Sequence, residues 1–180
     1  MESHVSREEL ARRIAEVALL RGQFTLRSGK VSNYYLDKYM FATRPEILRA
    51  LAALIDDRVP DRATLLAGAE LGGIPLAVAA SLATDLPCIF IRQARKDYGT
   101  SRRVEGALSP TDAVVLLEDV ATTGGQVLEA ARVIEEVGAE VIGVIATIDR
   151  LEGARENVES AGYEFDALFT SADLGIEPGT

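Results

Sequence analysis

Residues 114–125 combine an apolar stretch, two adjacent carboxylates and a loop of threonine and glycine within twelve positions. The apolar part is typical of a buried parallel strand, and residues 126–137 then carry apolar side chains at helical spacing. The loop therefore begins a helix, where free backbone N–H groups, small side chains and the hydroxyls of Thr122 and Thr123 can hold a phosphate dianion. We expect a phosphate site at this turn.

The two carboxylates, Glu118 and Asp119, need a different role, because a negative charge beside a phosphate repels it. Carboxylates accept hydrogen bonds from sugar hydroxyls and help to bind divalent cations, so the whole pattern predicts a site for a phosphorylated ribose. A strand that simply ends in a polar turn is the alternative interpretation, and the length of the pattern argues against it.

Residues 68–73, with the sequence Gly-Ala-Glu-Leu-Gly-Gly, are a second candidate anion loop. They lead to Pro75, which suits the first turn of a helix. Their spacing differs from the dinucleotide-binding glycine pattern, and no Lys-Ser or Lys-Thr pair follows as in a P-loop. A purely structural tight turn remains the alternative.

Composition disfavours several classes of function. The 180 residues, 48% of them hydrophobic, suffice for one domain spanning residues 1–180. Without a long apolar run or a signal-peptide core, we expect a soluble, cytoplasmic protein with no membrane partner.

The only histidine, His4, lies near the N-terminus and the only cysteine, Cys88, lies in an apolar run, which disfavours catalysis by either. The net charge of −9 argues against nucleic-acid binding, yet residues 92–103 carry five bases and one acid and could attract an anionic ligand.

The elements that must position these residues alternate between strand and helix. Predicted strands cover residues 64–67, 88–92, 113–117, 141–148 and 167–169, and predicted helices cover 75–84, 126–137 and 153–161. This order is typical of a parallel α/β sheet, in which ligands bind beyond the carboxyl ends of the strands. Earlier helices are predicted after capping boxes at residues 6–9 and 43–46, the first ending at Gly22. The polar residues 93–106 are predicted to form a long mobile loop.

The pattern at 114–125 resembles the phosphoribosyl diphosphate (PRPP) motif of the type I phosphoribosyltransferases. The resemblance implies the fold of that family, a twisted parallel α/β sheet flanked by helices, with a small N-terminal hood at about residues 1–40. It implies that Glu118 and Asp119 contact the ribose 2′- and 3′-hydroxyls, that the following loop holds the 5′-phosphate, and that residues 70–72 hold pyrophosphate. Mg²⁺ is the implied cofactor, bound mainly through PRPP and with no protein ligand assigned.

Residues 22–37 resemble the N-terminal signature of the orotate phosphoribosyltransferases, which forms part of a hood over the base. Aromatic faces can pack on a flat pyrimidine, and cations and hydroxyls can meet its carboxylate and carbonyl groups. The alternative is a hairpin with Phe24, Tyr34 and Leu36 in the core.

Residues 92–100 resemble the catalytic loop of the same family, and Arg150 follows a predicted strand where the family binds the orotate carboxylate. A surface ion pair is the alternative role for such an arginine. The implied catalytic residues are Lys96, Arg92 and Asp119, and the implied orotate-binding residues are Thr122, Arg150, Arg27 and Tyr35. The implied PRPP-binding residues are Arg92, Lys96, Tyr98, Glu118, Asp119, Val120, Ala121, Thr122, Thr123, Gly124, Gly125, Gln126, Glu70, Leu71 and Gly72.

The chain departs from the bacterial members of this family at five positions. Arg27, Gly72 and Gln93 replace lysines, Leu36 replaces an aromatic ring, and Tyr98 replaces a histidine. The changes in the catalytic loop resemble the archaeal-type members.

The resemblances predict transfer of the 5-phosphoribosyl group from PRPP to orotate, by a homodimer whose catalytic loops reach into the neighbouring subunit's site. A purine phosphoribosyltransferase would share the PRPP motif but should lack the signature at 22–37. A non-catalytic regulator that senses PRPP or a nucleotide would keep the fold, but residues 1–21 offer one helix and no DNA-binding module.

Overall fold

The computed structural model describes residues 5–25, 31–93 and 103–176, beginning with helix α1 (Arg7–Ala18). The hydroxyl of its N-cap residue Ser6 accepts a 3.2 Å hydrogen bond from the backbone N–H of Glu9, as the first capping box predicts. The helix ends earlier than predicted, because Leu19 is extended and starts strand β1 (Leu19–Thr25). Gly22 therefore lies inside a strand.

Strand β1 forms an antiparallel hairpin with β2 (Val31–Leu36), and helices α2 (Lys38–Ala42) and α3 (Pro45–Asp56) follow. The second predicted capping box does not form. Arg44 is the N-cap of α3 and makes no side-chain capping bond, while the Thr43 hydroxyl donates a 2.7 Å hydrogen bond back to the carbonyl of Tyr39 in α2. Proline at the first position of α3 favours its start without that cap.

The predicted parallel sheet is confirmed. Its parallel strands are β3 (Leu65–Ala69), β4 (Cys88–Ile91), β6 (Ala113–Ala121), β7 (Glu140–Asp149) and β8 (Phe165–Thr170). A short edge strand that was not predicted, β5 (Val104–Glu105), pairs antiparallel with β4, and the strand order is β5-β4-β3-β6-β7-β8. The remaining helices are α4 (Gly73–Thr84), α5 (Gly125–Glu135) and α6 (Ala154–Ser160), and a 3-10 turn follows at Ala172–Leu174.

Both faces of the sheet are covered by apolar layers. Val115 and Leu117 of β6 pack in the layer that contains α1 to α4, whereas Val114 and Leu116 pack in the layer that contains α5 and α6. Burial on both faces explains why β6 is an almost uninterrupted apolar run until its carboxyl end. None of the helices in the described ranges is long and apolar enough to cross a membrane.

Candidate functional site

The carboxyl ends of four parallel strands lie at one edge of the sheet, and a predicted site segment follows each of them. β3 leads to Glu70, β4 to Arg92, β6 to the loop at 122–124, and β7 to Arg150. The sheet therefore gathers these segments where an α/β sheet usually binds its ligand.

The two predicted ribose-binding acids lie inside strand β6. The sequence predicts a strand that ends at Leu117, but β6 continues to Ala121 because its pairing with β7 extends as far as Asp149. Glu118 is 5% exposed and Asp119 is 1% exposed. Strand pairing on the β7 side thus fixes the backbone that carries both carboxylates.

Asp119 is held by two contacts that aim its carboxylate. Its Oδ1 accepts a 2.7 Å hydrogen bond from the backbone N–H of Val120, and its Oδ2 lies 2.8 Å from Nζ of Lys38 in α2. A buried carboxylate needs such a partner, since an unpaired charge away from water is costly. The ion pair therefore keeps a charged group at this edge of the sheet.

Glu118 has fewer contacts to its carboxylate oxygens than Asp119 has. Its Oε2 is buried and has no hydrogen-bond partner among the described residues. Burial, together with the hydrogen bond and the negative charge of Asp119, raises the pKa of Glu118 well above its ordinary value. The hydrogen-bonding capacity of this carboxylate oxygen is therefore not used by the described residues.

The loop after the acids opens into a cleft of about 280 Å³. Helix α5 starts at Gly125, and Gly124 before it has a φ of +77°, a left-handed conformation that favours glycine. A side chain there would also meet Val158, since an added Cβ would lie 2.9 Å from its Cγ2. The turn thus exposes the N-terminal N–H groups of α5 to the cleft, the arrangement that binds phosphate groups. The cleft is lined by Glu118, Val120, Ala121, Thr122, Thr123, Gly124, Gly125, Gln126, Val127 and Glu129.

The second predicted anion loop lies directly against Asp119. Helix α4 starts at Gly73, and a Cβ added to Gly72 would come within 1.4 Å of Asp119 Oδ2. Only glycine therefore leaves Asp119 in its observed position. The peptide bond between Glu70 and Leu71 in this loop is cis.

Arg92 and Gln93 join the second loop to the edge of the sheet. The backbone N–H of Gln93 donates to Glu70 Oε2 at 3.3 Å, and its side-chain amide donates to the Glu70 carbonyl at 3.2 Å. The guanidinium group of Arg92 lies 3.7 Å from Glu105, and its Nε has no hydrogen-bond partner among the described residues. The predicted site residues Arg27, Lys96 and Tyr98 lie outside the described residues, as do positions 94–102 of the predicted catalytic loop.

Arg150 is tied to the hairpin by a polar contact. Its backbone N–H donates to the Ala121 carbonyl at 2.9 Å, and its Nη2 donates to the Tyr34 hydroxyl at 2.6 Å. The same nitrogen lies 2.8 Å from a carboxylate oxygen of Glu152. The ion pair foreseen as the alternative role is therefore present, although the arginine is mostly buried, with 16% of its side chain exposed.

The two tyrosines of β2 have different surroundings. Tyr34 is 8% exposed and contacts Arg150, whereas Tyr35 is 45% exposed and packs its ring 5.7 Å from that of Phe24. Alternation along a strand produces this difference. The hairpin foreseen as the alternative for residues 22–37 does form, and Tyr34 of this hairpin contacts Arg150.

Two side chains absent from the sequence-based site, Tyr34 and Lys38, contact residues predicted to be in it. A buried tyrosine hydroxyl usually has a hydrogen-bond partner, and this general rule is the one sequence-based indication of a contact for Tyr34. The sequence gives no such indication for Lys38, because α2 has only five residues and too few turns for a periodic pattern.

The described residues can bind anions and hydroxyl groups, but they offer an incomplete metal site. No group of three or more His, Cys, Asp and Glu side chains within them could hold a metal ion. Glu118 and Asp119 could supply only part of the oxygen shell that Mg²⁺ requires, so a ligand would have to provide the rest. A diphosphate and two ribose hydroxyls carry oxygens of that kind.

Residues 41–163 match the family model of the phosphoribosyl transferase domain. The orotate phosphoribosyltransferase of Pyrococcus abyssi is 43% identical over 172 residues, which cover 93% of this chain and 94% of that protein. A structure of the orotate phosphoribosyltransferase of Mycobacterium tuberculosis H37Rv has a TM-score of 0.86 and 30% identity, covering 94% of this chain and 99% of the other. A second structure of the M. tuberculosis protein, in complex with PRPP, has a TM-score of 0.81 and 29% identity with the same coverage.

Proposed function

The chain belongs to the phosphoribosyl transferase family, and we propose that it transfers the 5-phosphoribosyl group from PRPP to orotate, forming orotidine 5′-monophosphate and pyrophosphate. One observation carries this function. The buried acid pair Glu118 and Asp119 lies between the phosphate-type turn that starts α5 and the Gly72 turn that starts α4. A ribose that carries phosphates at both ends needs that order of groups.

The proposed donor site divides PRPP among three segments. The 5′-phosphate binds the N-terminus of α5 with the hydroxyls of Thr122 and Thr123, because N–H groups and hydroxyls there can donate to its oxygens. The ribose hydroxyls donate to Glu118 and Asp119. The diphosphate lies along residues 70–72, close to Arg92. The backbone and side chains of Val120, Ala121, Gly124, Gly125 and Gln126 complete the proposed cradle.

The acceptor site is proposed to lie between β2 and the end of β7. The orotate carboxylate binds Arg150, whose cation already has the carboxylate of Glu152 as a neighbour and is oriented by Tyr34. Thr122, Arg27 and Tyr35 are the further proposed contacts of the base. Tyr35 would have to act from the exposed side of the hairpin.

Catalysis in this proposal rests on positioning and charge. Cleavage of the C1–O bond leaves positive charge on the ribose ring and additional negative charge on pyrophosphate, so fixed cations and N–H groups around the diphosphate lower the barrier. Arg92 and Lys96 supply cations, while Asp119 and Glu118 hold the ribose so that N1 of orotate attacks the face opposite the leaving group. Mg²⁺, bound mainly through oxygens of PRPP, would add positive charge at the diphosphate.

The segment predicted as a mobile loop at 93–106 contains β5 (Val104–Glu105), which is paired with β4. The part of it that precedes β5 is proposed to close over this site. Closure would exclude water, which would otherwise hydrolyse the electron-poor ribose carbon. We also propose that the chain works as a homodimer in which this loop reaches the neighbouring subunit's site. A location in the cytoplasm is proposed as well, because PRPP is a highly charged anion that does not cross a membrane unaided.

A panel of acceptors tests the proposed function. Purified protein would be mixed with PRPP, Mg²⁺ and one of orotate, hypoxanthine, xanthine or adenine, and pyrophosphate release would be followed. Of the four bases, only orotate is expected to support pyrophosphate release. Release with a purine at a comparable rate would instead support a purine phosphoribosyltransferase, and PRPP binding without release would support a non-catalytic sensor.

A further inference from the structure

Lys38 forms the ion pair that holds Asp119, although it belongs to α2 rather than to any loop at the edge of the sheet. Its Nζ lies 2.8 Å from Asp119 Oδ2 and 5.6 Å from the centre of the Tyr39 ring. Burial alone would lower the pKa of Lys38, but the charges of Asp119 and Glu118 outweigh burial and raise it. Lys38 therefore carries a full positive charge at the acid pair.

The charge of Lys38 lies beside the second anion loop, which has no basic side chain of its own. The loop residues Glu70, Leu71, Gly72 and Gly73 contain a carboxylate and no base. A Cβ at Gly72 would come within 1.4 Å of the carboxylate oxygen that pairs with Lys38. The ammonium group thus lies beside the place that a side chain of residue 72 would occupy.

The ammonium group can also accept a further partner. An ammonium group has three N–H donors, and Asp119 is the ion-pair partner of Lys38 among the described residues. The Lys38 side chain remains 31% exposed, whereas Asp119 is 1% exposed. The side of Lys38 that faces away from Asp119 can therefore reach an anion in the site.

We propose that Lys38 is a further cation of the pyrophosphate subsite: it holds the Asp119 carboxylate toward the ribose and donates to the diphosphate of bound PRPP. This assignment rests on the proposed function, because it takes PRPP as the ligand. It gives α2 a role in donor binding and couples the N-terminal hairpin region to the sheet. A bound diphosphate then meets a cation that the loop at 70–73 does not carry.

Binding of Mg²⁺–pyrophosphate to the full chain, measured by calorimetry, tests the assignment without any transfer reaction. Lys38→Met keeps the aliphatic stem and removes the charge, while Lys38→Arg keeps the charge. Arg44→Met is the matched control, since it removes an exposed cation that pairs at 3.8 Å with Glu46 outside the site. Lys38→Gln replaces Lys38→Met if the latter does not fold, as judged by circular dichroism.

Loss of one charge-assisted hydrogen bond should weaken pyrophosphate binding by about tenfold in Lys38→Met. Lys38→Arg should recover part of that loss, and Arg44→Met should bind like the unaltered protein. In the transfer assay, KM for PRPP should rise by a similar factor while KM for orotate stays within about twofold. Pyrophosphate affinity within about twofold of the unaltered protein in a folded charge-removing variant would overturn the assignment and leave a purely structural ion pair. If the unaltered protein binds pyrophosphate but never consumes orotate, the proposed function fails while the binding test still decides the role of Lys38.

Discussion

Arg150 donates a 2.6 Å hydrogen bond to the hydroxyl of Tyr34, and its guanidinium carbon lies 5.2 Å from the centre of the same ring. The two residues are 116 positions apart in the sequence, so the contact joins the end of β7 to the hairpin. The ring and its hydroxyl together fix the guanidinium plane. Arg150 is the proposed ligand of the orotate carboxylate, so its orientation should affect acceptor binding.

Tyr34→Phe is predicted to weaken orotate binding selectively. The substitution keeps the ring under Arg150 and removes one hydrogen bond, which should raise KM for orotate by about threefold to tenfold. KM for PRPP should change by less than about twofold, because the donor site does not use this hydroxyl. Steady-state kinetics would measure both constants, and Tyr163→Phe, which alters a tyrosine between α6 and β8, is the control. An equal rise in both values would contradict a role limited to the acceptor.

Gly72→Ala is predicted to damage the donor site through Asp119. The added Cβ and Asp119 Oδ2 cannot occupy their observed positions together, so the buried carboxylate must rotate away from Lys38 and the ribose. KM for PRPP should rise by about tenfold or more. Gly143→Ala is the control, because its added Cβ would only make an ordinary 4.0 Å contact with the Glu164 carbonyl. If PRPP kinetics are unchanged in Gly72→Ala, the packing of the loop against Asp119 does not limit donor binding.

The parallel sheet and its ligand-binding edge could be predicted because apolar strands and amphipathic helices alternate along the chain. The Thr/Gly turn could be predicted as well, since a helix start and small residues are local features. The exact end of β6 could not be predicted, because the extension that includes Glu118 and Asp119 depends on pairing with β7. Local propensity carries no information about that partner.

The contacts made by Tyr34 and Lys38 also lay beyond prediction from the sequence. Both side chains reach residues of the sheet that are distant along the chain, and their partners are set by how the hairpin and α2 pack on it. The motif at 114–125 predicted the acids but gave no indication of the cation that neutralises one of them. The sequence shows a glycine at position 72 where the bacterial members of the family have a lysine. The structure adds that a side chain at this position would collide with Asp119.

Glu118→Gln is predicted to change how stability depends on pH. A carboxyl whose pKa is higher in the folded than in the unfolded state binds more protons when folded, so the free energy of unfolding falls as pH rises from about 4.5 through the folded pKa. The neutral amide removes this loss. The free energy of unfolding of the variant, relative to that of the unaltered protein, should therefore be higher at pH 7 than at pH 4.

Urea unfolding of the ligand-free protein between pH 4 and pH 8 would measure this change. Glu46→Gln, which alters an exposed carboxylate of α3, is the matched control. A difference between Glu118→Gln and the unaltered protein that stays constant over this range would contradict a raised pKa for Glu118.

Asp173→Asn is predicted to lower stability at neutral pH and to have little effect in acid. Arg7 donates to both carboxylate oxygens, at 3.1 and 2.9 Å, and this contact, with those from Thr170, lowers the pKa of Asp173 from 3.8 to about 2. A lowered pKa gives stability that is present above about pH 4 and is lost as pH falls toward 2. Because the pair is partly exposed, the expected loss at pH 7 is about 1 kcal/mol.

Thermal or urea unfolding at pH 7 and at pH 2.5 would show the effect as a difference that shrinks in acid. Asp166→Asn, which removes an exposed carboxylate paired with Arg58, is the control for charge loss alone. An effect of Asp173→Asn that is equal at both pH values would show that the ion pair with Arg7 does not tie α1 to the end of the sheet energetically.

The most direct test of the central claim is the absorbance of orotate after the purified protein is mixed with PRPP and Mg²⁺. The absorbance should fall only when both are present, and Asp119→Asn should slow the fall by weakening PRPP binding. If orotate absorbance stays constant in the presence of the unaltered protein, PRPP and Mg²⁺, although calorimetry shows that PRPP binds, the protein is not an orotate phosphoribosyltransferase.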